Sequence, residues 1–388
     1  MTWAAEDRVQ PPAQDVSGPA AVPASAVTVS RPRVESLTGL RWWAAFFVFT
    51  HHMGYLAPLP IREFLKLGTS GVTFFFVLSG FVLTWSARPG SVVGSMAAGT
   101  FYRRRFARIV PAHVVALIPA LFVFYRFDPP DNLFWIKPVS MTAIVLSLFL
   151  LNGWSNNPTI LYGGNPASWT LSIEAFFYAF FPFLHRATAK LKLGGALVLA
   201  AAAVVIAGGY RLTQYNWVDL PTLPPPLLHA VAFVVGIAIA IVLRSGWIPP
   251  LPAWTGYLAI GIGLAVLTYT FRHPGKVPFG TEISLLQKEI LTLLYGFLIL
   301  VVAARDLRGG RSLLRSKPLV ALGRWSFSFY LVHATVLYGI RELHGSSEPV
   351  SWLNLTWYAG VGAVSILASW LLYKFVEHPL ELKLRGSR

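Results

Sequence analysis

The sequence predicts an all-α, polytopic transmembrane helical bundle of ten spans, with one further helix that is re-entrant or interfacial. Three observations predict it. Of 388 residues, 55% are hydrophobic and 12% are charged, whereas a soluble domain carries about 25% charged residues. Apolar stretches recur along the chain, most of them near the length of about 20 residues that crosses a bilayer. The basic residues gather in short loops between those stretches, as loops on the cytoplasmic side do.

Other classes fall away on composition. A net charge of +16 would raise nucleic-acid binding in a soluble protein. Here topology and anionic lipid account for the basic loops, so the bilayer is the expected partner and nucleic acid is not. The chain has no cysteine, which excludes disulfides, thiolate metal sites and a Cys nucleophile. It carries no zinc signature, P-loop or dinucleotide fingerprint, and no metal is expected. The 14 Trp, 14 Tyr and 27 Phe suit two interfacial belts.

Residues 1–34, rich in Ala, Pro, Ser and Val without an apolar period, read as a disordered cytoplasmic tail. The membrane domain follows over 35–380, and 381–388 read as a second cytoplasmic tail. Apolar stretches fall at 40–59, 68–86, 108–126, 139–152, 167–185, 193–210, 226–243, 251–271, 284–304, 319–341 and 353–376. Charge selects among the eleven. The loop with Arg88, Arg103, Arg104, Arg105 and Arg108 and the loop with Arg305, Arg308, Arg311, Arg315 and Lys317 both belong inside. An even number of crossings must separate them, yet seven stretches do. The short stretch Val139 to Asn152 is the natural exception, since so short a segment is often re-entrant. Ten spans then place both termini in the cytoplasm of a cell-membrane protein. The long loop 127–166 lies outside, where Asn152, Trp154, Asn156, Asn157 and Tyr162 either read a sugar or cap the bundle. The chain shows no internal repeat of the kind that many transporters carry.

Ionisable groups within spans cost about 2.5–3.5 kcal/mol on insertion scales and usually face a cavity or a partner. Arg41, His52, Glu174, Arg324 and His333 are such groups. Arg41 and His52 are separated by about three helical turns, roughly 16 Å, on one helix face. Taken alone, Arg41 reads first as a snorkelling interface anchor, whereas for His52 a packing role is the lesser reading. An intramembrane imidazole is also an obvious proton carrier. Counting residues from the span ends puts His52, Glu174 and His333 in one layer, where a carboxylate such as Glu174 orients an imidazole base. Arg104, Arg105 and Arg108 share one helix end and suit phosphate, or else only set topology. Gly68, Gly71, Ser79 and Gly80 suit close helix packing. Ser79 is a candidate nucleophile with no base near it in sequence.

Several segments together resemble the acyltransferase 3 family of integral membrane O-acyltransferases. They are Ser36-Leu-Thr-Gly-Leu-Arg41 with His52, Gly71-Val-Thr-Phe-Phe-Phe-Val-Leu-Ser-Gly-Phe81 and Arg104-Arg-Phe-Ala-Arg-Ile-Val-Pro111. Trp169-Thr-Leu-Ser-Ile-Glu-Ala-Phe-Phe-Tyr178, Gly323-Arg-Trp-Ser-Phe-Ser-Phe-Tyr-Leu-Val-His333 and Val376-Glu-His-Pro379 complete the set. The resemblance implies a ten-span fold and a cytoplasmic acyl-CoA donor, acetyl-CoA or a short-chain homologue. It implies that Arg41 and His52 form the family's Arg–His pair, that Glu174 is its acidic position, and that the arginines around Arg105 and Arg108 serve the donor. Arg324 is grouped with them. Thr38 stands where many members carry Asp, and His378 where many carry Arg. The Thr-Gly-Leu-Arg-Trp-Trp run looks like actinobacterial members, some of which acylate macrolide antibiotics. The expected activity is transfer of an acyl group to a hydroxyl of a small-molecule or glycan acceptor, with His52 as base or as an acyl-His intermediate. The alternative is a transporter or flippase for a lipid or sugar.

Overall fold

The fold is seen in a computed structural model that describes residues 34–87, 98–217 and 219–385. The predicted N-terminal tail up to 33 and the loop at Arg88 lie outside the described residues. Fifteen helices carry the described chain. They are α1 Ser36–Met53, α2 Arg62–Leu65, α3 Gly71–Ser86, α4 Ala98–Phe124, α5 Met141–Leu148, α6 Pro158–Leu161, α7 Ser168–Thr188 and α8 Leu193–Asn216. After these come α9 Pro225–Arg244, α10 Trp254–Arg272, α11 Gly280–Leu285, α12 Gln287–Leu307, α13 Lys317–His344, α14 Leu355–Leu372 and α15 His378–Arg385. Among the described residues the strands are one parallel pair, Tyr125–Arg126 with Lys137–Pro138.

Seven helical stretches among the described residues are long and apolar enough to cross a membrane. They are Arg62–Ser86, which joins α2 to α3, then α4, α8, α9, α10 and α12, and Trp352–Arg385, which runs from before α14 through α15. The expected count of ten is therefore met only in part. The shortfall has a physical cause. α1, α7 and α13 have 18, 21 and 28 residues, as long as the others. They carry Arg41, His52, Glu174, Arg324 and His333, together with buried Ser and Thr, and this polarity keeps them out of the apolar set. The short stretch at 139–152 becomes α5, of 8 residues, about 12 Å long and too short for a bilayer core of about 30 Å.

α9 is apolar on every side and buried on nearly every side, as such a helix must be. α3 packs against it backbone to backbone. A Cβ on Gly80 would stand 2.0 Å from the Phe233 carbonyl oxygen, and one on Gly236 would stand 2.0 Å from that of Val77. α1 and α13 meet in the same way, where Gly323 lies against the Thr38 carbonyl. Gly68 and Gly71 press on the Phe47 and Ala44 carbonyls of α1. Close packing accounts for all of these glycines. α8, α10 and α14 form outer walls whose apolar side chains remain exposed.

The long loop is pinned to the bundle rather than free. His113 Nε2 donates to the Ser147 carbonyl at 3.0 Å. Asn152 is fully buried and donates to the Leu161 carbonyl at 2.8 Å and to Ser168 Oγ at 3.1 Å. Asn157 caps α6, and Asn156 donates to the Thr222 carbonyl at 3.1 Å. These asparagines tie the loop down, while Trp154 and Tyr162 keep exposed rings.

Candidate active site

A cavity of about 160 Å³ lies between α1, α3, α4, α7 and α13. α3 supplies Val72, Phe75, Phe76, Ser79, Val82 and Leu83, a spacing that keeps them on one helix face over about 16 Å. At one end stand Arg41, Arg105 and Arg108. At the other, Phe75, Thr170 and Tyr330 form the floor.

The arginine end is built from unequal parts. Arg41 makes no hydrogen bond or ion pair among the described residues. It is repelled by Arg108 and attracted by Glu377 and Glu174. Arg105 lies 5.6 Å from the Tyr178 ring centre and 5.9 Å from that of Phe101, and its Nε is buried without a hydrogen-bond partner. Arg108, by contrast, is fixed. Its Nη1 lies 2.7 Å from Glu377 and 3.0 Å from Glu381. Glu377 is fully buried and accepts a 2.5 Å hydrogen bond from Ser328. Tyr373–Glu377 form a π-helical turn between α14 and α15. The turn leads Glu377 inward, and α15 brings Glu381 to the same guanidinium.

Glu174 lines the cavity from α7. It accepts a hydrogen bond from Tyr178, one turn along the helix, and another from Ser79 at 3.4 Å. Both hydroxyls donate to the same carboxyl oxygen, Oε1, and the group attracts Arg41.

The two histidines meet elsewhere. His333 Nε2 lies 3.4 Å from His52 Nδ1 across 281 positions of sequence. Neither lines the cavity. Tyr330 stands between, with its ring on the cavity floor and its centre 5.7 Å from that of His333. The Thr170 and Tyr330 hydroxyls are hydrogen-bonded at 3.1 Å, and the rings of Phe75 and Tyr330 are 6.3 Å apart. The imidazole pair is thus one helical turn past the floor.

The structure therefore brings Arg41, Ser79, Arg105, Arg108 and Glu174 together, and separately His52 with His333. It does not bring Glu174 to His52, because Tyr178 and Ser79 hold that carboxylate a layer away. Arg104 does not line the cavity, and Arg324 is exposed beside Tyr373. Sequence reasoning missed Tyr178, Tyr330 and the anchoring role of Glu377. Tyr178 was open to discovery as the i+4 neighbour of Glu174. For Glu377 the signal was a carboxylate near the end of the last apolar stretch.

Comparison with known proteins identifies the family. A model of the acyltransferase 3 family, described as an acyltransferase domain, matches residues 34–374. Acyltransferase MdmB of Streptomyces mycarofaciens is 35% identical over 92% of this chain and 93% of its own. Peptidoglycan O-acetyltransferase OatA of Listeria monocytogenes is 25% identical over 90% of this chain, which spans 56% of that relative's length. Nodulation protein 10 of Rhizobium leguminosarum is 26% identical over 83% of this chain and 84% of its own. No solved structure matches. The family match favours acyl transfer over the transport reading. With its apolar helices and its match over nearly all described residues, this multi-pass chain belongs to the acyltransferase 3 family of membrane acyltransferases.

Proposed function

We propose that the protein moves a short acyl group from acyl-CoA to a hydroxyl of a sugar-containing or macrolide-type acceptor, with His52 as general base. One observation carries the reading. Three arginines, two of them without a fixed hydrogen-bond partner, open onto an apolar cavity that ends one helical turn from an imidazole pair. Unsatisfied guanidinium donors in a partly apolar site suit the phosphates of a coenzyme. We assign that end to the cytoplasm, in a ten-span topology that counts α1, α7 and α13 as spans and leaves both termini inside.

The cavity volume divides the donor. An apolar cavity of about 150 Å³ holds benzene, so about 160 Å³ holds a short acyl thioester and not a nucleotide. The nucleotide stays at the arginine mouth. For transfer, Tyr330 swings aside and the thioester carbonyl meets the acceptor at His52. The acceptor's O–H proton passes to His52 Nε2 as its oxygen bonds to the acyl carbon. The C–S bond breaks, and the departing sulfur takes the proton from His52. An ester and a free thiol result, and His52 is neutral again.

The macrolide-type acceptor rests on similarity to a Streptomyces acyltransferase over nearly its whole length. General base catalysis contributes about 10²–10⁴-fold. A folded His52→Ala variant is expected to lose acceptor-dependent thiol release from acetyl-CoA by that factor. Full transfer by that variant would overturn the assignment.

A further inference from the structure

A ring nitrogen of histidine that lies against a backbone carbonyl must carry a proton, because a carbonyl only accepts. His333 Nδ1 lies 2.8 Å from the Tyr330 carbonyl and 3.2 Å from that of Phe329. It is the N–H of that ring, and Nε2 of neutral His333 is a lone pair. His52 Nδ1 lies 3.0 Å from the Val48 carbonyl, so it also carries its proton. Its neighbour on the other side is His333 Nε2, at 3.4 Å. The Nδ1 proton of His52 thus has two acceptors, a carbonyl and an imidazole. The lone pair of His52 is left on Nε2, on a ring that is partly exposed.

His333 is 1% exposed and held rigidly. Its ring stacks on Phe329 at 5.8 Å and 13° and meets the edge of Phe49 at 6.5 Å. A separation of 3.4 Å is long for a hydrogen bond between neutral groups. It shortens and strengthens once the donor ring is cationic. A carboxylate usually fills this place beside a catalytic imidazole. Here the carboxylate of Glu174 is engaged elsewhere, and a neutral acceptor avoids burying a second charge in an apolar layer.

We propose that His333 is a positioning residue for acyl transfer: its Nε2 accepts the Nδ1 proton of His52, aims the ring, and steadies the imidazolium that forms when Nε2 takes the acceptor's proton. This rests on His52 being the base. No proton passes between the rings. His52 keeps its Nδ1 proton throughout, gains one on Nε2 and returns it to the leaving sulfur, while His333 stays neutral.

The test uses the full-length chain in detergent, with acetyl-CoA and an acceptor that the wild type turns over in a panel of glycosylated macrolides and sugars. His333→Phe keeps an aromatic plug but offers no acceptor. His333→Gln places an amide oxygen near the former Nε2, and His333→Asn falls short of it. The Phe and Asn variants are expected to lose ten- to a hundredfold in kcat with unchanged KM for acetyl-CoA, and the Gln variant to recover most of it. In a His52→Ala background, His333→Phe is expected to cost nothing further. A Phe variant within threefold of wild-type kcat would sink the proposal, as would equal losses in Gln and Asn. So would a full further loss in the His52→Ala background. If His52→Ala itself retains activity, the base assignment fails instead, and the two failures are told apart.

Discussion

Arg108 offers an internal comparison, because two carboxylates of very different burial hold one guanidinium. Consider Glu377→Gln. Glu377 is fully buried, while Glu381 has a side chain 23% exposed, as does Arg108. The amide keeps the shape and can still accept from Ser328 at 2.5 Å. Its NH₂ then faces Arg108 Nη1 across 2.7 Å, donor against donor. Breaking a buried pair by removing one partner costs about 3–5 kcal/mol. Glu381 remains as a partner and Arg108 reaches some solvent, so about 2 kcal/mol is the expected loss of stability. Glu381→Gln leaves the buried pair intact and removes a partly exposed one, worth about 1 kcal/mol or less. The assay is thermal unfolding of the three proteins in one detergent, with calorimetric titration of CoA on each. Glu377→Gln is expected to melt lowest and to bind CoA most weakly, since Arg108 loses the anchor that aims it at the cavity. Equal or reversed ordering of the two variants would refute the argument that burial makes Glu377 the principal anchor.

Two further outcomes are expected. Across acetyl-, propionyl-, butyryl-, hexanoyl- and octanoyl-CoA, kcat/KM is expected to hold or rise by up to about fourfold per methylene, the equivalent of about 0.8 kcal/mol of burial. It is then expected to fall beyond butyryl, once the cavity of about 160 Å³ is full; undiminished use of octanoyl-CoA would show that the acyl chain lies elsewhere. Burial lowers Lys137, between α4 and α5, to about 8, and its Nζ donates to the Tyr162 carbonyl at 2.8 Å. The fold disfavours the charged form, so stability is expected to rise as pH climbs from about 8 towards the ordinary lysine value, where only the unfolded chain still holds the proton. An NMR titration of the dimethylated side chain with a midpoint above 10 would contradict this.

Much of the architecture could be read in advance, for a definite reason. Lipid demands apolarity, so spans announce themselves, and the short stretch before Asn152 could be set apart by length alone. The working helices were harder. α1, α7 and α13 surround the site and face one another, so they tolerate Arg41, Glu174 and His333 where an outer helix could not. Local spacing identified Arg41 and His52 as sharing a face. It could not choose between Arg104 and Arg105, which point about 100° apart on α4, because either one shares a face with Arg108. Pairings across the bundle were out of reach. His52 finds His333 across 281 positions, and Ser79 finds Glu174 across 95. One layer of depth had been assigned to His52, Glu174 and His333 together. The structure splits it, because Tyr330 occupies the space between the carboxylate and the imidazoles.

The widened turn from Tyr373 to Glu377 has a consequence for how this chain can vary. A π turn holds one more residue than the regular coil it replaces. Loss of any single codon there would leave an uninterrupted helix, more regular and no less apolar. The residues beyond it would keep their facing, since the bulge takes up its extra residue within the turn. Loss of a codon from the regular coil of α14, by contrast, would rotate everything downstream by about 100° and carry the inward carboxylate off the guanidinium it serves. Within this last helix, the bulge is the place that can shorten by one residue.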